Sequence, residues 1–204
     1  MYDENSPILG QSPIDGERIA SFMLKRPCGG YTEKDIRGII VPSYLRICGE
    51  VGMNTLLAVA QMIHETGNLT SFWAARPRRN PAGIGVNGQQ RSDQPPNTNG
   101  WAFDASTSQW RFGVSFATWE NDAIPAHVGR LLAYTLKTGS ETPAQAALIA
   151  RALGYRALPT PMRGSAPSIK QLGKAHNPTG QGWASPGDQY GAKISAIANA
   201  ISAS

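Results

Sequence analysis

Apolar residues crowd the stretch Met53 to Thr66, and Leu56, Val59, Ala60 and Ile63 recur there at helical spacing. Asn54 or Thr55 is placed to cap that helix and Gly67 to stop it, so the spacing predicts the core helix of the chain. A second helix is predicted over Ile14 to Lys25, where Ile14, Ile19, Phe22 and Met23 keep the same period until Pro27, Gly29 and Gly30 end it. Thr32 and Asp35 read as the cap of a helix running to about Glu50. Thr118 to Lys137 reads as helical despite Pro125, and Thr142, Pro143 and Gln145 form a capping-box start for a helix to about Leu153. Gln189 to Ile201 closes the pattern, with Tyr190, Ile194, Ile197 and Ile201 on one side.

The helical period vanishes from Arg76 to Gly100, and Gly88 to Gly100, rich in Gln, Asn and Pro, reads as an exposed loop. Two short alternating runs follow, Trp101 to Phe103 and Gln109 to Phe116, which predict a small β-hairpin turning through Asp104 to Ser108. The class expected is therefore mainly α with one small hairpin. A chain of 204 residues without internal repeats suits one domain, with a core at about 53–137 and helical flanks at 1–52 and 138–204.

Composition adds that 22 Gly and 15 Pro must separate the helices by long loops, and that 41% hydrophobic content argues against disorder. A net charge of +5 favours a polyanionic partner without choosing one. Cys28 and Cys48 make no disulfide framework. A helix begun at Thr32 carries Cys48 about 24 Å from its cap at about 1.5 Å per residue, whereas the chain from Cys28 reaches only about 14 Å. A strong bend at Pro42 is what would bring them together. Met1 to Gln11 has no apolar signal-like core, and no apolar run approaches the roughly 18 residues of a membrane span.

Several chemistries fit poorly. Gly83, Gly85 and Gly88 match the spacing of a dinucleotide loop, but Arg76-Pro-Arg-Arg-Asn-Pro81 stands where a strand is needed and a Pro-rich loop stands where a helix is needed. His64, His127 and His176 share no metal-ligand spacing with each other or with a cysteine, so no metal and no cofactor is expected. No serine sits in a nucleophile elbow. Lys and Arg are scattered rather than gathered on one helix face, which argues against nucleic acid.

Glu65 stands out. An otherwise apolar helix ends in a carboxylate in its last turn, where the helix dipole disfavours negative charge and the proton is held longer. A carboxylic acid still protonated near neutral pH is what glycoside hydrolysis needs, because the leaving oxygen must depart as an alcohol. Gln61, one turn earlier on the same face, is placed to bond Glu65 or a sugar hydroxyl, and His64 to line a cleft beside it.

The run Leu57-Ala-Val-Ala-Gln61-Met-Ile-His-Glu65-Thr-Gly67, followed by Asn80-Pro-Ala-Gly83-Ile84, resembles the core signature of the endo-β-N-acetylglucosaminidase family of the lysozyme superfamily. Trp110-Arg-Phe-Gly113 and Phe116-Ala-Thr-Trp119 are similar to that family's hairpin and aromatic turn, and a weaker likeness reaches Tyr190-Gly191. The resemblance implies a lysozyme-like helical domain with the hairpin beside the cleft. It implies Glu65 as catalytic acid and Asn80 and Gly83 as shapers of the loop next to it.

The chain departs from the family at the hairpin, where some members carry an acidic residue before an aromatic one and this sequence has Gln109 before Trp110. Asp104 is the nearest substitute, with Asp93, Glu120 and Asp122 as weaker ones; failing these, the substrate's own acetamido group attacks the anomeric carbon. Trp110 on the hairpin is the expected sugar contact, while Trp73, Trp101 and Trp119 are expected to pack. Arg76, Arg78 and Arg79 are expected to set positive charge beside the cleft, suiting the carboxylates of peptidoglycan.

The function implied is hydrolysis of β-1,4 bonds of peptidoglycan after N-acetylglucosamine, by a monomer acting outside the cell, in the wall, or with a phage. A muramidase or lytic transglycosylase would use the same Glu65 on the neighbouring bond. A wall-binding or phage structural module that has lost activity is the rival from another class.

Overall fold

The structure is a computed structural model that describes residues 1–13 and 15–204. The chain is mainly α, with a small antiparallel sheet. Helix α1 spans Gly16–Leu24 behind an Asp15 cap, and Ile14 of the predicted helix lies outside the described residues. Thr32 and Asp35 form the predicted capping box, and from it α2 (Glu33–Asp35), a π-helical turn (Ile36–Ile40) and α3 (Val41–Val51) run on as one helical stretch. Pro42 sits at the start of α3, just past the π turn, and Gly52 closes the helix in the left-handed conformation. Cys48 is buried in α3 with its thiol pushed up to about 12 by burial, and neither cysteine is paired.

Helix α4 (Thr55–Thr66) is capped by Asn54, whose side chain accepts from the Leu57 amide, and stopped by Gly67 at φ +57°. Every residue from Thr55 to Ile63 is buried. α5 (Ile124–Thr135) follows a π turn (Trp119–Ala123) capped by Thr118; α6 (Pro143–Tyr155) starts at the Thr142–Gln145 capping box; α7 is Tyr190–Ser202. α5 and α6 approach closely at Gly129, where a Cβ would stand 2.1 Å from the Leu148 carbonyl oxygen. One buried hydrophobic cluster runs from Ile8 to Ile201 and includes residues of α1, α3, α4, α5, α6 and α7, so α4 is enclosed on several sides.

The sheet has three strands rather than the two of a hairpin. β1 (Gln90–Arg91) joins β2 (Trp101–Asp104) and β3 (Gln109–Phe112) in the order β1-β3-β2. β1 falls in the polar run read as loop, because an edge strand is held by main-chain pairing to β3 and needs no apolar alternation of its own. The register sets Trp101 opposite Phe112 and Phe103 opposite Trp110, which collects four aromatic rings on one face. Ala102, Asp104, Gln109 and Arg111 take the other face.

Candidate active site

Glu65 emerges where α4 stops. Its neighbours come from far along the chain: the Tyr190 hydroxyl, at the first residue of α7, donates to Glu65 Oε1, and the Trp183 indole lies beside the same carboxyl. Burial raises the pKa of Glu65, and the hydrogen bonds from Tyr190 and Trp183 only partly oppose it. Burial therefore adds to the helix-end effect expected from the sequence.

Behind the carboxyl runs a buried chain of hydrogen bonds with one consistent direction. Gln61 Nε2 donates to Tyr190 Oη at 2.8 Å, leaving the Tyr190 proton for Glu65. Gln61 Oε1 faces His127 Nε2 at 2.9 Å, so that nitrogen carries the ring proton. His127 Nδ1 then accepts from the Tyr44 hydroxyl at 2.7 Å. Burial lowers the His127 pKa to about 3, which keeps the ring neutral, and raises the Tyr190 phenol well above its ordinary value, which keeps it a donor. Gln61 is 1% exposed with both amide ends engaged, so the structure places it behind the acid and away from the cleft surface.

In front of Glu65 lies an open cleft of 670 Å³. His64 lines it at the α4 end, its ring edge-on to Tyr190 at 5.4 Å, with its pKa lowered by burial and by Lys193. One wall is the segment Ala82 to Ile84. Asn80 pins that segment: Nδ2 donates to the Ile84 and Val114 carbonyls, and Oδ1 accepts from the Ala82 and Ile84 amides. All four of its hydrogen-bonding places are used, and Gly83 takes φ +61° at the cleft surface. The facing wall is the loop Gly182 to Gln189, tied down where the Trp183 amide bonds the Leu172 carbonyl at 2.7 Å. That approach needs glycine, because a Cβ on Gly182 would stand 2.6 Å from the Leu172 oxygen.

Other expected residues lie elsewhere. Asp104 is 6% exposed on the sheet, bonded to Ser106 and ion-paired with Arg111 at 2.7 Å, outside the walls of the Glu65 cleft; the Ser106 hydrogen bond first, and then Arg111, hold its carboxyl below the usual range. Asp93 pairs with Arg91, and Asp122 with Arg151, also outside those walls. Trp110 packs against Phe103 at 5.4 Å on the aromatic face of the sheet and does not line the cleft. Trp119 is buried edge-on to Tyr31. The arginines after Trp73 are engaged away from the acid: Arg76 with Asp35, Arg78 with the Phe72 carbonyl and ring, Arg79 with the Pro77 carbonyl. The cleft's positive charge comes instead from Arg130, Arg156 and Lys193, and Asp188 is its other carboxylate.

Among the described residues no group of three His, Cys, Asp or Glu gathers at metal-binding distance, and no helix is long and apolar enough to cross a membrane. No protein-family model matches the chain, and no curated protein matches it. Two solved structures are similar to it at 17% identity, over 98% of this chain and 72% of theirs. They are S. aureus autolysin E in complex with the muropeptide NAM-L-Ala-D-iGlu, with a TM-score of 0.48, and a catalytic mutant of S. aureus autolysin E in complex with the disaccharide NAG-NAM, with a TM-score of 0.47.

Proposed function

We propose that this chain is a glycosidase with a lysozyme-like active domain that cuts β-1,4 bonds of peptidoglycan after N-acetylglucosamine, with Glu65 as general acid. The observation that carries the reading is the setting of Glu65: a carboxyl at an open polar cleft, its pKa raised by burial and its orientation set by Tyr190 and the buried chain behind it. General-acid catalysis of glycoside cleavage needs such a group, because an alkoxide is a poor leaving group and a raised pKa keeps the proton available near neutrality. The cleft is open, and the half-buried Trp183 in its wall offers a sugar aromatic surface. The sequence signature around Glu65 supplies the substrate class. We read 1–204 as one catalytic unit working as a monomer on wall glycan, without metal or cofactor.

The second group in this reading is the substrate's acetamide, since Asp104 is tied to Arg111 and Ser106 on the sheet. That same ion pair favours the rival reading, a wall-binding module without turnover. Glu65→Gln separates the two. The change is nearly isosteric, and loss of the transferable proton is expected to lower the rate of wall digestion by about 10² to 10⁴ with the fold retained by circular dichroism. Digestion of walls at near wild-type rate by the variant defeats the assignment of Glu65, and absence of turnover in the wild type favours the binding module. Mass spectrometry of the new reducing ends then tells N-acetylglucosamine from muramic acid or an anhydro product, deciding which bond is cut.

A further inference from the structure

Arg130 on α5, Arg156 just beyond α6 and Lys193 on α7 all line the Glu65 cleft. Among the described residues none of the three has a carboxylate within ion-pairing distance. For Arg130 this is costly, because it is only 6% exposed. Arg163, less deeply buried than Arg130, is nevertheless paired with Glu141 at 3.1 Å, so the chain supplies a counter-charge to a partly buried arginine elsewhere and withholds it here. Arg130 Nη1 donates to the Arg156 main-chain oxygen at 2.8 Å, which holds the two residues on the same wall. Its guanidinium lies 5.7 Å from the Tyr134 ring centroid and 5.9 Å from that of Trp183, the indole that also flanks Glu65.

A guanidinium stays charged at any working pH, and its planar fork matches a carboxylate at two points. Burial above all, and then the nearby Arg156, disfavour the charge of Arg130; Tyr134 offsets them only in part, and an anion entering the cleft would relieve both. We propose that Arg130 and Arg156 form a carboxylate subsite, one indole away from the catalytic acid, that holds an acidic group carried by the sugar adjoining the cleaved bond. The identity of that sugar rests on the glycan-cleaving role argued above. In peptidoglycan the carboxylate has two sources: the lactyl group of muramic acid when free, or the peptide stem when the lactyl group is amidated. A neutral glycan such as a chitin oligomer leaves the buried cation unpaired, so the subsite would discriminate against it.

The test uses the full chain carrying Glu65→Gln, so that ligands bind without turnover. Three probes are titrated by calorimetry: the GlcNAc-MurNAc disaccharide with a free lactyl carboxylate, the same disaccharide carrying L-Ala-D-isoGlu, and neutral chitobiose. Adding Arg130→Gln is expected to weaken anionic binding by about tenfold or more and to leave chitobiose within about twofold. Arg156→Gln, at an exposed position where folding is insensitive, shifts affinity in the same direction, and Arg130→Lys recovers only part because it keeps charge without the fork. Loss confined to the free-lactyl probe assigns the lactyl source, and loss confined to the peptide-bearing probe assigns the stem. Equal effects on anionic and neutral probes, or no effect from either glutamine variant, overturn the subsite. Should Arg130→Gln fail to fold, Arg156→Gln and the NMR shift of the arginine Nε–H signals with each probe decide. Wall digestion by the wild type with no such shift removes the subsite and leaves the glycosidase reading. Shifts with anionic probes and no wall digestion keep the subsite and remove the glycosidase, and neither result removes both.

Discussion

Replacing Tyr190 by Phe removes one hydrogen bond donated to Glu65 and leaves the ring in place. That bond favours the ionised carboxyl, so it pulls the pKa of Glu65 down against the burial that pushes it up. A hydrogen bond to a charged group contributes about 1.5 to 3 kcal/mol, and about 1.4 kcal/mol corresponds to one pKa unit. Losing that bond is therefore large enough to read as an upward move of the Glu65 titration, which burial already raises. A general acid works only while protonated, so the basic limb of kcat/KM against pH moves up with it. The variant also strands the Gln61 amide, which loses its acceptor in a buried place at about 1 to 3 kcal/mol of stability. Turbidity loss of purified walls followed from pH 4 to 9 reads the limb, and thermal melts read the stability. A purely structural role for Tyr190 would lower the amplitude of the profile without moving it. A basic limb that stays fixed or moves down refutes the reasoning.

His127 titrates near 3 in the fold against 6.5 in the unfolded chain, so its neutral burial contributes stability above pH 6.5 that is lost as pH falls towards 3. Urea unfolding at pH 7 and pH 5 should show the wild type losing about 2 kcal/mol from this group, a component absent from His127→Gln; parallel losses in both chains contradict it. Glu65 has its folded pKa raised, so its ionised form weakens the fold as pH rises. Glu65→Gln should accordingly melt higher than wild type at pH 8 and level with it at pH 4, and a lower melting temperature at pH 8 speaks against burial as the cause. Under acetamide participation, Asp104→Asn and Asp188→Asn each keep at least about a tenth of the activity, well short of the roughly 10²-fold loss of an essential base; a hundredfold loss in either folded variant, with inverted product by NMR, identifies it as the base.

Helix positions were legible wherever a capping residue met an apolar period: Thr32 with Asp35, Asn54, Thr118 and Thr142 with Gln145 all cap the helices their patterns announce. What periodicity did not carry was structure held by main-chain contacts. β1 has no apolar alternation because its partner strand supplies the pairing, and the loop from Gly173 to Gly187 is shaped by backbone packing that only glycines permit. Trp183 was invisible for this reason. It sits in an aperiodic, Gly- and Pro-rich stretch, and nothing local shows that a loop well over a hundred residues after Glu65 folds back beside it.

Glu65 stands out in the sequence because its signal is local: a carboxylate at the end of an apolar helix, with Gln61 one turn before it. Its setting could not, because the partners of Gln61 lie 66 and 129 residues away. The chemistry of that position still constrains them. A buried amide has one acceptor end and one donor end, so a partner on the oxygen must give a proton and a partner on the nitrogen must accept one. Neutral His127 meets the first condition, with Tyr44 bonding its other nitrogen, and the Tyr190 oxygen meets the second. Once Tyr190 accepts from Gln61, its own proton is free to point at Glu65, and the orientation of that carboxyl follows from the proton on Nε2 of a histidine buried on another helix. A glutamate at position 61 would offer only acceptors when ionised and would compete for the Tyr190 proton. The amide is thus what lets a buried polar chain end on a carboxyl whose pKa burial raises.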